Sequence, residues 1–287
     1  MKHIKGLACI LIILLISGGC KAPVLQESST ENQAETDQEI ITFHDPNLEK
    51  AVRKKLRFGE NTPINKADAL SIKELSVDLY YSYGDNPPES HIVDLQDLSY
   101  FENVETLWFE GCHFANIDVL TELSRLKDLT FSRCDVSGLL CFPKSIQLQK
   151  IYIARSGGLN NLDFLRYQKS LREISLFECC GSEDNVSLDI SILLGIPSLE
   201  AIFLSRVGVM DFSPLGKMKQ LKSLSIRDIG ISDISFLMNL TSLEELDLFG
   251  TDVAVAALRD KDPTALQMYE DLKQALPNCD ITWWAFY

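Results

Sequence analysis

The most constraining feature of this sequence is an apolar pattern that recurs at a nearly constant spacing. In the segment 221–243, eight positions are apolar before the pattern begins again: Leu221, Leu224, Ile226, Ile229, Ile231, Ile234, Leu237 and Leu240. The first three follow the LxxLxL spacing, whose last two positions alternate as in a half-buried strand. The later positions predict a turn and a short helical or 3₁₀ segment that returns the chain to the start of another coil.

Seven coils share this register. They begin at residues 104, 126, 148, 171, 199, 221 and 243, which are separated by 22, 22, 23, 28, 22 and 22 positions. One coil cannot bury its apolar face alone, whereas stacked coils bury a continuous core. The sequence therefore predicts a solenoid that combines a parallel β-sheet with short helical segments.

The repeats resemble those of bacterial leucine-rich repeat proteins of the internalin-like type, which have 22-residue coils. The resemblance lies in the segments VMDFSPLGKMKQLKSLSI and ISDISFLMNLTSLEELDL. It implies an α/β fold in which a right-handed solenoid carries its parallel sheet on the concave face. It also implies short helical or 3₁₀ segments on the convex face, a helical N-terminal cap, and a C-terminal cap made of a helix and a strand.

Residues 1–19 resemble a bacterial lipoprotein signal peptide. Lys2 and Lys5 form a basic start, an apolar run follows, and Ser-Gly-Gly precedes Cys20. The resemblance implies that Cys20 becomes the lipidated first residue, which would anchor the protein to the outer face of a bacterial membrane. Ordinary secretion and a retained anchor are the alternatives. The polar, acidic segment 20–40 is typical of a disordered tether.

The remaining boundaries follow from capping signals. Segment 41–71 is predicted as the N-terminal cap because Asp45 and Pro46 are typical of a helix start, and similar F-x-D-P-N-L-E helices precede the repeats in the family. Residues 72–253 form the repeats and 254–287 the C-terminal cap, with a helix over 263–275. We expect the terminal aromatic residues to cover the last coil; they are Trp283, Trp284 and Phe286.

Two insertions interrupt the stack. The segment 80–90 is predicted to loop out of the first coil. Its Tyr80, Tyr81 and Tyr83 are either exposed contact residues or residues that cover the cap. The segment 180–187 is a polar bulge. Asp184 and Asp189 lie in or near it, but their spacing is not that of a known calcium loop. We therefore expect no metal and no cofactor.

Composition and motifs exclude several functional classes. Asp and Glu number 41 against 27 Lys and Arg, and the net charge of −14 opposes binding to nucleic acid or to an anionic membrane surface. The sequence contains no GxSxG, HExxH or Walker motif and no paired CxxC with zinc spacing. His113 adjoins Cys112, but this pair has no orienting third group. We therefore predict that the protein is not an enzyme.

The cysteines of the coils occupy a recurring position. Cys112, Cys134 and Cys179 lie at the ninth position of their repeats, where the family usually has an Asn that bonds to the backbone. Ser156 and Thr251 hold the same position in other coils. We expect Cys112 and Cys134 to be buried, reduced thiols that serve their own turns.

The concave strand face is the candidate binding site. Outward positions carry aromatic residues, and arginines follow the strands at one edge. The predicted partner-binding residues are Trp108, Arg133, Tyr152, Arg155, Phe177, Phe203, Arg206 and Arg227. On so acidic a chain, an aromatic and arginine stripe is unexpected unless a ligand binds it, and both residue types are enriched at protein interfaces. The competing interpretation is that the aromatic side chains only cover one another.

Together these observations predict a surface-anchored, monomeric protein that contacts the membrane through its lipid alone and binds a protein ligand on its concave face. Aromatic platforms also suit sugar rings, so a glycan or solute receptor is the first alternative. A structural envelope protein that binds nothing is the second. The repeat fold does not decide among them, because repeat scaffolds host many ligands.

Overall fold

The computed structural model describes residues 38–79, 92–179 and 187–284. The predicted signal peptide, Cys20, most of the tether, the tyrosines of the first insertion, the greater part of the second insertion and Phe286 lie outside these residues. Four α-helices frame the described chain: α1 (Pro46–Leu56), α2 (Lys66–Ser71), α3 (Asp252–Leu258) and α4 (Pro263–Ala275).

A parallel sheet of nine strands runs the length of the molecule. Its strands, in spatial order, are β1 (Glu74–Asp78), β3 (Thr106–Glu110), β5 (Asp128–Ser132), β6 (Lys150–Ala154), β7 (Glu173–Phe177), β8 (Ala201–Ser205), β9 (Ser223–Arg227), β10 (Glu245–Asp247) and β11 (Asp280–Thr282). Two short strands, β2 (Ile92–Val93) and β4 (His113–Phe114), form a separate parallel pair. Each sheet strand lies beside that of the next coil, as expected for stacked repeats.

The strands pair in the register that the apolar pattern predicts. Leu107 lies opposite Leu129, and Ile202 lies opposite Leu224. All seven residues that begin a predicted coil are buried, as are the inward strand residues that follow them. The stack is continuous in the described chain, because equivalent apolar residues of neighbouring coils pack on one another.

The return segments form short 3₁₀ helices opposite the sheet. They are Leu95–Tyr100, Ile117–Glu122, Asp163–Leu165, Ser191–Gly195, Ser213–Lys217 and Ser235–Asn239. Each places one or more apolar residues into the core, such as Leu120, Leu215 and Leu237, which are fully buried. The expectation of short 3₁₀ segments on the convex side is confirmed.

The N-terminal cap is tied to the first coil through buried carboxylates. Asp45 caps α1 by accepting a hydrogen bond from the Leu48 amide at 2.7 Å. Its second oxygen accepts from the Asp94 amide at 2.9 Å, just before the first 3₁₀ segment. Among the described residues, the first backbone pairing involves Glu39, whose carbonyl accepts from the Lys66 amide at 2.9 Å. Glu39 lies inside the range assigned to the tether.

The C-terminal cap closes the last coil. Asp262 is the N-cap of α4, where its carboxylate accepts from the Ala265 amide at 2.8 Å. Trp283 is buried, and its ring lies 4.8 Å from that of Tyr269, centroid to centroid. Trp284 was expected to help cover the coil, but 60% of it is exposed. It follows β11, and the alternation of the strand turns it away from the core.

Candidate functional site

Strand alternation places the predicted aromatic residues outside the core. Leu107 and Phe109 are fully buried, whereas Trp108 between them is 49% exposed. Tyr152 is 40% exposed, and Phe177 and Phe203 are half-buried. The outward orientation expected from the LxxLxL spacing is therefore correct for all four.

The predicted edge arginines belong to a column with an unusual backbone conformation. One position of the repeat has a positive φ in seven successive coils: Gly111, Arg133, Arg155, Glu178, Arg206, Asp228 and Gly250, with φ between 48° and 67°. In the first six of these coils this residue directly follows the strand, and Gly250 comes three residues after the end of β10. The amide at this position donates to the carbonyl of the neighbouring coil, as in the 2.7 Å bond from Arg155 to Phe177. This bond extends the pairing between neighbouring coils beyond the strand itself.

The arginines of this column have acidic partners within the chain. Glu178 lies between two of them: its Oε2 is 3.1 Å from Arg155 Nε and its Oε1 is 2.6 Å from Arg206 Nη1. Arg206 Nε is also 3.3 Å from Asp228 Oδ2. Hydrogen bonds from Arg206 and Arg155 lower the pKa of the Glu178 carboxyl, so the acid stays ionised between them.

The same pairing extends to the first arginine of the column, since Arg133 Nη1 lies 2.5 Å from Glu110 Oε1. Because these pairs lie within the chain, the arginine stripe alone is no evidence of a ligand. Charge pairing between neighbouring coils accounts for the arginines without one. Such exposed pairs add little stability, about 0–1 kcal/mol each.

Two arginines also hold aromatic rings on the concave face. The Arg155 guanidinium carbon lies 5.2 Å from the centre of the Phe177 ring. That of Arg227 lies 4.9 Å from the Phe249 ring, while its Nε is 3.5 Å from Asp247 Oδ2. These cation–π contacts fix long side chains beside the rings, which leaves less conformational entropy to lose when a partner binds.

Part of this surface forms a depression of about 430 Å³ over strands β6 to β10. We call it the concave pocket; its lining includes Tyr152, Phe177, Phe203, Arg206, Arg227, Asp228 and Phe249, with Ser175, Ser205 and Ser225 between them. Five of the eight predicted binding residues meet here. Trp108, Arg133 and Arg155 do not line the pocket, and the first two belong to earlier coils.

Sequence reasoning did not select Phe249 or the serines. Phe249 occupies the same outward position as Phe177, so the columns of the repeat carried the signal for it. The serines matter because they are small: they leave space between the aromatic residues of neighbouring strands. Trp284 extends this end of the face, since its carbonyl accepts from the Gly250 amide at 2.9 Å.

The ninth-position side chains bond to the backbone as expected. Cys112 Sγ donates to the Glu110 carbonyl at 3.4 Å, and Cys134 Sγ donates to the Ser132 carbonyl at 3.3 Å. Ser156 Oγ donates to the Ala154 carbonyl at 2.9 Å and accepts from the Cys134 amide at 3.1 Å. The two cysteines are buried and carry free thiols. They are part of the solenoid wall and do not reach the concave pocket.

Within the described ranges, no cluster of three or more His, Cys, Asp and Glu side chains is placed to hold a metal ion. None of the helices described is long and apolar enough to cross a membrane. The concave surface is therefore the site proposed from the sequence for which the structure supplies the most detail.

No protein-family model matches the chain, and no curated protein sequence matches it. Solved structures with a similar course include internalin C2 of Listeria monocytogenes, with a TM-score of 0.48 and 17% identity over 85% of this chain and 87% of that one. For the internalin InlF of the same species the TM-score is 0.33 and the sequence identity 15%, over 85% of this chain and 96% of that one. For Listeria monocytogenes InlP the TM-score is 0.39 and the sequence identity 14%, over 74% of this chain and 55% of that one. These likenesses carry no argument about function, which has to come from the surface itself.

Proposed function

We propose that this chain is a lipid-anchored surface protein that binds a protein partner through the concave face of its leucine-rich repeats. The observation that supports this proposal is the concave pocket, where Tyr152, Phe177 and Phe203 surround a floor of serines. Large side chains are held partly in solvent here, although the same coils bury apolar residues completely elsewhere. Exposed apolar groups gathered in one concavity are typical of an interaction site.

A protein is the partner that these residue types fit best. Aromatic side chains and arginine are enriched at protein interfaces, and a few of them carry most of the binding free energy. Arg206 and Arg227 are already held by Asp228 and Asp247. Their guanidinium groups therefore meet a partner in a fixed orientation, with charges that are already neutralised.

The binding proposal is tested with a matched pair of tyrosines. Tyr152 lies in the concave pocket, and Tyr167 follows a 3₁₀ segment on another surface; both are 40% exposed. A photoreactive phenylalanine analogue placed at either position of the full chain reports which surface a partner contacts. We expect crosslinking of a discrete protein from position 152 on the native cell surface, and none from position 167.

Two further variants sharpen this test. Phe203→Ala should abolish the crosslink from position 152, whereas Leu194→Ala, at an exposed residue outside the concave face, should leave it intact. Equal labelling from positions 152 and 167, or a crosslink that survives Phe203→Ala, would contradict a concave binding site.

The anchor is a separate part of the proposal and rests on the sequence that ends in Cys20. Mass spectrometry of the native protein should find an acylated Cys20 as the first residue. The Cys20→Ala variant should lose its membrane association. A different mature N-terminus, or a variant that remains bound to the membrane to the same extent, would refute lipid anchoring while leaving partner binding untouched.

A further inference from the structure

A second depression adjoins the concave pocket and has the opposite character. It measures about 320 Å³ and shares Phe203, Ser225 and Arg227 with the concave pocket. Its other lining residues include three acids, Glu245, Asp247 and Asp280. We call it the acidic pocket. An aromatic site and an acidic site are therefore continuous across strands β8 to β11.

The acids of this pocket differ in how their charge is balanced. Asp247 is paired with Arg227 at 3.5 Å. Glu245 accepts a hydrogen bond from the Ser223 hydroxyl at 3.3 Å. Among the residues that the structure describes, neither Glu245 nor Asp280 forms an ion pair, and the two lie directly opposite each other on β10 and β11. Like charges at facing positions of a sheet repel each other.

The same outward position elsewhere in the sheet shows how such repulsion is normally relieved. Lys150 lies between Asp128 and Glu173 on the neighbouring strands, and its Nζ is 3.0 Å from Glu173 Oε2. No equivalent cation stands beside Glu245 and Asp280 in the described chain. Burial and the negative charges of Asp280 and Glu245 raise the pKa of the nearby Cys279 thiol to about 11, in keeping with a negative potential at this end of the sheet.

We infer that the paired pockets accept a partner segment that combines a bulky apolar side chain with a lysine or arginine close to it in sequence. The apolar side chain packs among Tyr152, Phe177 and Phe203, and the cation lies between Glu245 and Asp280. This inference rests on the proposed function and specifies the chemistry of its partner.

The distances suit a short segment. Phe203 on β8 and Glu245 on β10 are two strands apart, which corresponds to about 10 Å across a parallel sheet. An extended segment advances about 3.3 Å per residue, so the apolar and basic residues lie within about three positions of each other. The net charge of −14 also attracts a basic partner before contact is made.

The test uses a random peptide library displayed on phage and selected on the full chain. We expect the selected peptides to carry an aromatic or large aliphatic residue within three positions of Lys or Arg. Synthetic versions should lose affinity by about tenfold or more for Glu245→Gln/Asp280→Asn, and the remaining affinity should depend less on salt. Phe203→Ala should weaken the same peptides.

A matched control removes two acids from a different surface. Glu270 and Asp271 lie on α4, and Glu270→Gln/Asp271→Asn changes the net charge by the same amount as the pocket variant. We expect it to keep the affinity of the parent. Thermal denaturation of every variant separates loss of binding from loss of the fold.

Failure of the predicted basic residue can be distinguished from failure of partner binding on the concave face. Peptides that need Phe203 and yet bind the Glu245→Gln/Asp280→Asn variant as tightly as the parent would refute the requirement for a basic residue in the partner. That result would leave partner binding itself in place. A selection that yields no peptide sensitive to Phe203→Ala would overturn both, as would binding to a glycan array without any peptide binding.

Discussion

His44 Nδ1 lies 2.7 Å from Oδ1 of Asp97, and this pair joins the N-terminal cap to the first 3₁₀ segment. Asp97 is only 1% exposed. Its other oxygen accepts hydrogen bonds from the amides of His44, at 2.6 Å, and of Asp45, at 3.2 Å. The hydrogen bond and the charge of Asp97 raise the pKa of His44 above its usual value.

This relationship predicts that the stability of the cap depends on pH. Because the pKa of His44 is higher in the folded than in the unfolded chain, its contribution is fully present below the unfolded value and disappears as the pH rises through the folded one. The melting temperature of His44→Ala should therefore lie furthest below that of the parent at acidic pH. The gap should narrow towards alkaline pH.

The matched control is His113→Ala, since the His113 side chain is exposed. Melting temperatures from about pH 5 to pH 9 bracket the titration of histidine. A gap between the parent and His44→Ala that is the same at both ends of this range would contradict the pairing with Asp97.

Replacement of Gly250 by alanine is predicted to lower the stability of the last coil. The φ of Gly250 is +67°, and a Cβ at this position would collide with the Asp228 carboxylate. The backbone term alone costs about 1–2 kcal/mol for an L-residue, and displacement of Asp228 adds to it. Gly157→Ala is the control because a Cβ there meets nothing within 4 Å. Urea denaturation should show a lower free energy of unfolding for Gly250→Ala and a nearly unchanged one for Gly157→Ala; equal values would contradict this account.

The two faces of the sheet should respond differently to truncation. Leu224→Ala removes a buried side chain from the core and should lower the free energy of unfolding by about 2–5 kcal/mol through the cavity it leaves. Tyr152→Ala acts on the exposed face and should change it by about 0.5 kcal/mol or less. Denaturant titration of both variants checks the prediction, which is wrong if Tyr152→Ala unfolds the domain.

The cysteines should react in the order of their accessibility. Cys141 is exposed, whereas Cys112, Cys134 and Cys179 are buried. The hydrogen bond with the Cys134 thiol, together with burial, raises the pKa of Cys112 and suppresses its reactive thiolate. Alkylation of the folded protein near neutral pH should label Cys141 first, and the three buried thiols only after denaturation. Peptide mapping that finds a Cys112–Cys134 disulfide would contradict this prediction.

The apolar register of the coils could be predicted because it depends on spacing alone. An LxxLxL segment can bury its apolar positions in only one orientation, so Leu224 and Ile226 had to face inward and Ser225 outward. The start of α4 could also be predicted, because the N-cap Asp262 and the first helical residue Pro263 are a local signal that does not depend on tertiary packing.

The pairing of side chains across coils was harder to predict. The sequence shows that arginines follow several strands, but not that Glu178 lies within reach of both Arg155 and Arg206. The contact between Glu178 and Arg206 joins the coil that begins at residue 171 to the next one. The spacing of 28 between these coils obscures which residues become neighbours. The prediction that Trp284 covers the last coil was wrong because that contact also depends on packing. Its neighbour Trp283 already fills the last opening of the core, and one aromatic residue is enough.

The order of the strands also determines how far the concave pocket can reach. Phe203 lies on the sixth strand of the sheet and β1 on the first, so five steps of about 4.8 Å place the pocket roughly 24 Å from the N-terminal cap. A chain held by its N-terminus would therefore present the pocket well away from the point of attachment. Each additional coil inserted before β6 would increase this separation by one step without changing the residues that line the pocket.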